Sequence, residues 1–264
     1  RLMSLQLIKN DMTDAVMFGP DGNNLLPAAV LYKKNILALR GSFRPVTKVN
    51  MDMFQKSYDI FVREQTVEME NAIVVFEITL SNLKASGEID EQDFMDRAEL
   101  LCSLGHTVLI SKFQEYYKLV EYFNNYTKAK IGLTMGVNNL VDVFDEKYYR
   151  HLSGGILEAF GKLFFKDLKV YLYPMKDPET GQILTSNNVK VHPRMKELYK
   201  FFKYNGKVMD IIDYDPEVLH IFSRDVLKKI INKDEGWEKE LPEGIAEIIK
   251  EKDLFTRKVL EEKE

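Results

Sequence analysis

Short β-rich runs alternate with longer stretches of helical period along the 264-residue chain, and this alternation constrains the fold more than any other feature. Ala15–Phe18, Ile36–Leu39, Ile73–Leu80, Thr107–Ile110, Lys130–Met135 and Lys169–Tyr173 read as strands. Between them, Val49–Val62, Asp90–Leu104, Phe113–Tyr126, Leu140–Tyr149, Ile156–Phe165 and Pro193–Tyr204 carry apolar residues three and four apart, the spacing of one helix face. A parallel strand is reached only by crossing back over the sheet, so the pattern predicts a mostly parallel sheet with helices on its faces. The expected fold is therefore α/β, a doubly wound, Rossmann-like sheet, with an eight-stranded barrel as second choice. In such sheets ligands bind at the carboxyl ends of the strands, where the strand order reverses. From Pro216 onward the pattern is helical, with Asp225–Lys233 and Gly244–Lys252 as helices and Pro242 placed to open the second. The expected organisation is an α/β body over 1–215, of which 1–35 is an extra N-terminal segment, and a helical part of the same domain over 216–264. Gly19–Asn24 and Pro174–Asn188 read as loops, and Lys258–Glu264 as a solvated helical end.

Composition narrows the partners. With 37 Lys and Arg against 41 Asp and Glu, the chain lacks the cationic surplus of a phosphate-backbone binder, so nucleic acid is not expected. No run approaches the roughly 18 uncharged apolar residues of a membrane span. The single cysteine, Cys102, excludes an internal disulfide and a cysteine-rich metal framework; it reads as a small buried residue in a reducing, cytoplasmic setting. Because the chain opens on Arg1, an organelle such as the mitochondrion is the other location expected, reached if a targeting segment preceded that residue. His106, His151, His192 and His220 are never four apart, so there is no local zinc motif, and each reads as a surface or capped histidine. The stripe Phe113, Tyr116, Tyr117, Tyr122, Phe123 and Tyr126 reads as core or partner packing, and Ser153-Gly154-Gly155 as a joint between helices. No Ser-His-Asp set, Walker loop or paired-carboxylate motif is present.

Chemistry concentrates in Leu39–Phe54, which leaves a strand and enters a helix. A glycine at the strand end, Gly41, lets backbone approach a ligand, and the free N–H groups and dipole of the following helix start attract anions. Arg44 and Lys48 add positive charge beside that start. The plainer interpretation is an ordinary turn, with Gly41 for geometry and Thr47 as N-cap.

Gly41-Ser42-Phe43-x-Pro45-Val46-Thr47, followed by Met51-x-Met53-Phe54-Gln55, resembles the G-S-F-N-P-I/V-T-x-x-H-L-x-L/M-F-E signature of the nicotinamide/nicotinate mononucleotide adenylyltransferases. A second match is Ile221-Phe222-Ser223-Arg224-Asp225-Val226-Leu227 and Leu241-Pro242 through Phe255, similar to that family's I-S-S-T-x-I-R element and its L-V-P tail. A third is Met135-Gly136-Val137-Asn138-Asn139-Leu140, similar to a strand followed by G-A-D beside the pyridine nucleotide. The matches keep the family's order from about Leu39 to Phe255 and leave residues 1–35 unexplained. Leu184–Lys190 offers another register for the I-S-S-T-x-I-R element, with Lys190 supplying its charge.

The resemblance implies that ATP, with Mg²⁺, and a pyridine mononucleotide are joined to a dinucleotide with release of pyrophosphate, by positioning and charge stabilisation. It implies that Thr47, Lys48 and Asn50 face the ATP phosphates and that Gly41, Ser42 and Phe43 supply backbone contacts. Gly136 and Asn138 would lie beside the pyridine nucleotide and Ser223 would hold the triphosphate, while Arg44, Lys48 and Arg224 are positive charges outside the family's pattern that are placed to take over the phosphates. Two catalytic letters depart from the family: Asn50 stands where a histidine holds the phosphates, and the Ser-Ser-Thr-x-x-Arg element keeps only Ser223. Each lost donor costs on the order of a hundredfold in rate. Two functions are therefore expected in competition, an adenylyltransferase and a pseudoenzyme that keeps the fold as a structural or regulatory subunit. Either a homo-oligomer or a larger assembly is compatible with the sequence.

Overall fold

A computed structural model describes residues 1–80 and 91–255. In chain order the helices are α1 (Leu2–Lys9), α2 (Pro27–Leu31), α3 (Lys48–Phe61), α4 (Glu91–Ser103), α5 (Tyr116–Asn124), α6 (Val137–Val143), α7 (Gly155–Leu163), α8 (Lys196–Tyr204), α9 (Ser223–Asn232) and α10 (Ile245–Lys252). The strands are β1 (Ala15–Phe18), β2 (Asn24–Leu25), β3 (Asn35–Arg40), β4 (Ala72–Thr79), β5 (Thr107–Ser111), β6 (Ile131–Gly136), β7 (Lys169–Tyr173), β8 (Met175–Lys176), β9 (Ile183–Leu184) and β10 (Val208–Asp210).

Eight strands form one sheet in the order β10-β7-β6-β3-β4-β5-β1-β2, and the six from β10 to β5 run parallel. The chain steps outward from β3 to β5, returns to lay β6 beside β3, and steps outward again to β10. The order thus reverses between β3 and β6, as in a doubly wound nucleotide-binding sheet, and the sheet is open rather than a barrel. Strand composition explains why both faces are covered. In β3, Leu37 and Leu39 belong to one apolar cluster while Ile36 and Ala38 belong to the other, and β7 divides Tyr171 and Tyr173 from Val170 and Leu172 in the same way. Such two-sided burial is what a continuous apolar run requires. Helices α5, α6 and α7 supply one face; α1, α4, α9 and α10 supply the other, through residues such as Leu5, Phe94, Val226 and Ile245.

Five features differ from the sequence expectations. Ala15–Phe18 is a strand but runs antiparallel to β5, closing one side of the sheet with the two-residue β2. Val208–Asp210 adds a sixth parallel strand too short to show a period, and Pro174–Asn188, expected as a loop, contains the β8–β9 ribbon. The helix expected over Leu140–Tyr149 begins earlier, at Val137, and breaks at Phe144, whose φ of −92° and ψ of 19° leave the helical region before a 3₁₀ turn over Glu146–Tyr149. His106, expected at the surface or at a cap, stacks on Phe76 with 4.3 Å between ring centres and meets Phe54 edge-on. Asp90 and Lys258–Glu264 lie outside the described residues. Among the described residues, no helix is long and apolar enough to cross a membrane.

Candidate functional site

The turn that leaves β3 at the reversal point is built around an aromatic wedge. Phe43 adopts φ +47° and is buried, its ring 5.4 Å from that of Phe76. The ring lies over Gly41, where a Cβ would sit 2.8 Å from Phe43 Cζ, so the missing side chain of Gly41 makes room for Phe43. Farther along, Asn50 Oδ1 accepts from the Thr47 backbone N–H at 2.9 Å and from Thr47 Oγ1 at 3.0 Å. These two residues therefore close the first turn of α3 as a capping box, with Thr47 fully buried. Lys48, the first helical residue, is exposed.

Helix α4 clamps the same turn. Arg44 Nε donates to Asp93 Oδ1 at 2.5 Å, Arg97 forms an ion pair with Asp93, and Arg97 Nη1 donates to the Ser42 carbonyl at 3.2 Å. Arg97 and Asp93 are both buried, so the Arg44 guanidinium is committed to the protein interior side of the turn. Asp52 of α3 accepts from Tyr173 Oη at 2.6 Å and from the Asp215 backbone N–H at 3.0 Å, tying the segment that leads to α9 against the same strand ends.

Two clefts open at the carboxyl ends of the strands, and Ser42 lines both. The larger, about 560 Å³, lies among Arg40, Gly41, Thr79, Tyr116, Asn139 and Tyr148. Its floor is a buried ionic network that the strand register dictates: Arg40 of β3 stands opposite Glu77 of β4. Arg40 Nε and Nη2 donate to the two Glu77 oxygens at 2.7 and 2.9 Å, Nη1 donates to the Gln114 carbonyl at 2.7 Å, and Ser111 Oγ donates to Glu77 at 2.6 Å. Burial works against the guanidinium charge, but Glu77 more than offsets it and raises the Arg40 pKa. The guanidinium also lies 4.3 Å from the centre of the Tyr116 ring, whose hydroxyl accepts from Asn139 Nδ2 at 2.8 Å. Burial pushes the Tyr116 hydroxyl above the usual tyrosine pKa, which keeps it protonated.

The second cleft, about 460 Å³, is lined by Ser42, Asn138, Met175, Phe222, Ser223 and Arg224, together with Pro178. Phe222 is the N-cap of α9 and Ser223 and Arg224 are its first residues, so the amino end of a ten-residue helix opens here. That end carries partial positive charge and free N–H groups, and Arg224 adds a whole one. Arg224 sits 5.4 Å from the Phe222 ring centre and is largely exposed.

Of the residues singled out in the sequence, Ser42, Asn138, Ser223 and Arg224 come together in one cleft, and Gly41 and Ser42 line its neighbour. Gly136 ends β6 and caps α6, with open space where a Cβ would stand. Phe43 is in the core, Thr47 and Asn50 are bonded to each other, and Arg44 faces Asp93. Leu184–Lys190 lines neither cleft; its Ser186 bonds Asp210 at the end of β10 instead. Arg40, Glu77 and Thr79 belong to no motif of the sequence; a charged residue within each of two mostly apolar strands is the signal that marks Arg40 and Glu77. No group of three or more His, Cys, Asp or Glu among the described residues is arranged to hold a metal. The Arg224-lined cleft offers hydroxyl and amide oxygens but no carboxylate, so Mg²⁺ fits there only as an ion carried in on phosphate oxygens.

No protein-family model matches the chain, and no curated protein matches it in sequence. In fold it is similar to the Plasmodium falciparum nicotinic acid mononucleotide adenylyltransferase complexed with NaAD, at 13% identity and a TM-score of 0.50, over 84% of this chain and 97% of that one. The same Plasmodium falciparum protein complexed with APC aligns at 14% identity and a TM-score of 0.47, over 84% and 97% of the two chains. At 13% identity the first likeness shows the fold alone: this chain is an α/β protein with an open, doubly wound, Rossmann-type sheet.

Proposed function

We propose that the chain binds ATP and a pyridine mononucleotide side by side and joins them into a dinucleotide. The observation that carries this reading is the pair of clefts meeting at Ser42 above the point of strand reversal. A reaction between two nucleotides needs two adjoining lobes with one shared wall. The triphosphate occupies the lobe at the amino end of α9, where Ser223, Arg224 and Asn138 face the departing pyrophosphate. The mononucleotide occupies the lobe floored by Arg40 and walled by Tyr116 and Tyr148, its phosphate directed toward Ser42. An oxygen of that phosphate attacks the α-phosphorus of ATP, the bond to the bridging oxygen breaks, and pyrophosphate leaves with its electron pair; Mg²⁺ travels with the triphosphate. Lys48, exposed at the start of α3, lines neither cleft and would reach the phosphates only through its long side chain; Gly41 and Phe43 shape the turn before it, and Gly136 shapes the end of β6. Incubation with ATP, Mg²⁺ and either mononucleotide releases pyrophosphate, and Arg224→Ala slows release by on the order of a hundredfold. No release above background overturns the turnover reading.

A second reading is favoured by one observation. Asn50 is held in the helix cap and Arg44 is held by Asp93, so neither is free for phosphate. Under this reading the chain is a nucleotide-binding subunit without turnover, alone or in an assembly. Stabilisation by ATP or dinucleotide in a thermal-shift assay, without pyrophosphate release, separates it from the first.

A further inference from the structure

The pole of the sheet opposite the crevice holds a second, unrelated cavity of about 320 Å³, at the amino ends of β6 and β7. Its lining includes Lys128, Lys130, Lys166, Asp167, Phe165 and Leu168. Lys130 is buried, and its ammonium donates to Asp167 at 2.6 Å and to Glu64 at 3.4 Å. Glu64 is already shared: Lys169 donates to both its oxygens, at 2.7 and 2.8 Å, and Tyr171 Oη donates at 3.3 Å. Lys207 reaches in to donate to the Lys166 carbonyl at 2.6 Å. Three lysines, Lys128, Lys130 and Lys166, and one carboxylate, Asp167, thus line the concave space, with Lys169, Lys207 and Glu64 behind them; Lys128 donates to the Asn124 carbonyl at 2.7 Å, and Lys130 is the lining lysine held by carboxylates. Burial above all, with smaller contributions from the Lys130 and Lys169 charges and against the pull of Asp167, holds the Lys207 amine below its ordinary pKa. An anion between Lys128, Lys130 and Lys166 would meet net positive charge, while the half-exposed Phe165 ring, 5.6 Å from the Lys166 ammonium, offers a face for a planar ring.

We propose that this cavity is a binding site for a small organic phosphate carrying a planar ring, separate from the crevice. Its size suits one such molecule. Lys128 and Lys166 are exposed at the rim and bind the phosphate; Thr66 and Asn124 are placed to bond polar groups on the ring. The probe is AMP, titrated calorimetrically into the whole chain. The double variant Lys128→Glu/Lys166→Glu, which alters only exposed side chains, loses one binding event or weakens it by at least about tenfold, whereas Arg224→Glu in the crevice leaves that event intact. Adenosine, which lacks the phosphate, does not compete for it. The proposal is overturned if AMP binding is unchanged in the double variant, if Arg224→Glu alone abolishes all AMP binding, or if AMP does not bind. Because the event is assigned by the lysine variant, its outcome does not depend on what the crevice binds.

Discussion

Gly41→Ala tests whether the turn after β3 is shaped by Phe43. A Cβ at this position meets Phe43 Cζ at 2.8 Å and two further ring carbons at 3.0 and 3.1 Å. Ordinary carbon–carbon contact begins near about 3.5 Å, so the ring must retreat by roughly half an ångström or more. It has no free space to enter, since Phe43 is 3% exposed and rests on Phe76. Overpacking of this kind costs about 1–3 kcal/mol, which for a chain of this size lowers Tm by roughly 2–10 °C. Scanning calorimetry on Gly41→Ala, on Phe43→Leu and on the double variant closes a mutant cycle. Trimming Phe43 removes the clashing atoms, so the alanine should cost less in the Phe43→Leu background, by about 1 kcal/mol or more. Equal cost in both backgrounds, or a Gly41→Ala Tm within a degree of wild type, refutes the packing argument.

Glu77→Gln leaves the Arg40 guanidinium in the cleft floor without its counter-charge, and denaturant titration should register a loss of about 3–5 kcal/mol. Asn50→Ala removes one half of the α3 cap and should cost about 0.5–2 kcal/mol in the same titration, whatever it does to nucleotide binding. Burial between Phe54 and Phe76 lowers the His106 pKa to about 4, so the unfolded chain takes up a proton that the folded chain refuses until well below the ordinary histidine value. Stability is therefore complete above that ordinary value and declines as pH falls toward 4, by roughly 2 kcal/mol after allowance for the ring's remaining solvent contact. Urea midpoints at neutral and acid pH should diverge less for His106→Leu than for wild type.

The fold was legible where its determinants are local. Apolar runs such as Ile36–Leu39 and Lys169–Tyr173 announce strands, and the crossovers between them announce a parallel sheet. The direction of Ala15–Phe18 was not legible, because a strand's pattern is the same whether its neighbour runs with it or against it. Val208–Asp210 has too few residues to display a period. For the candidate site, the motifs point to the carboxyl ends of the strands and to the start of α9, and Ser42, Asn138, Ser223 and Arg224 line one cleft there. What they hid is that the same letters do two jobs. Gly41 accommodates Phe43, and Thr47 and Asn50 cap a helix, so matching letters there report turn geometry as much as phosphate binding. The pairing of Arg40 with Glu77 depends on register between strands, which no single-chain pattern encodes.

Equilibrium binding of the dinucleotide tests the two-lobed crevice most directly. A molecule with an adenylate and a pyridine nucleotide should fill both lobes at once, one per chain, and both ATP and the mononucleotide should displace it. Ser42→Trp, which fills the junction, should weaken it by at least about tenfold while leaving Tm near the wild-type value. Failure of the dinucleotide to bind, or displacement by only one of the two nucleotides, contradicts a crevice joined at Ser42.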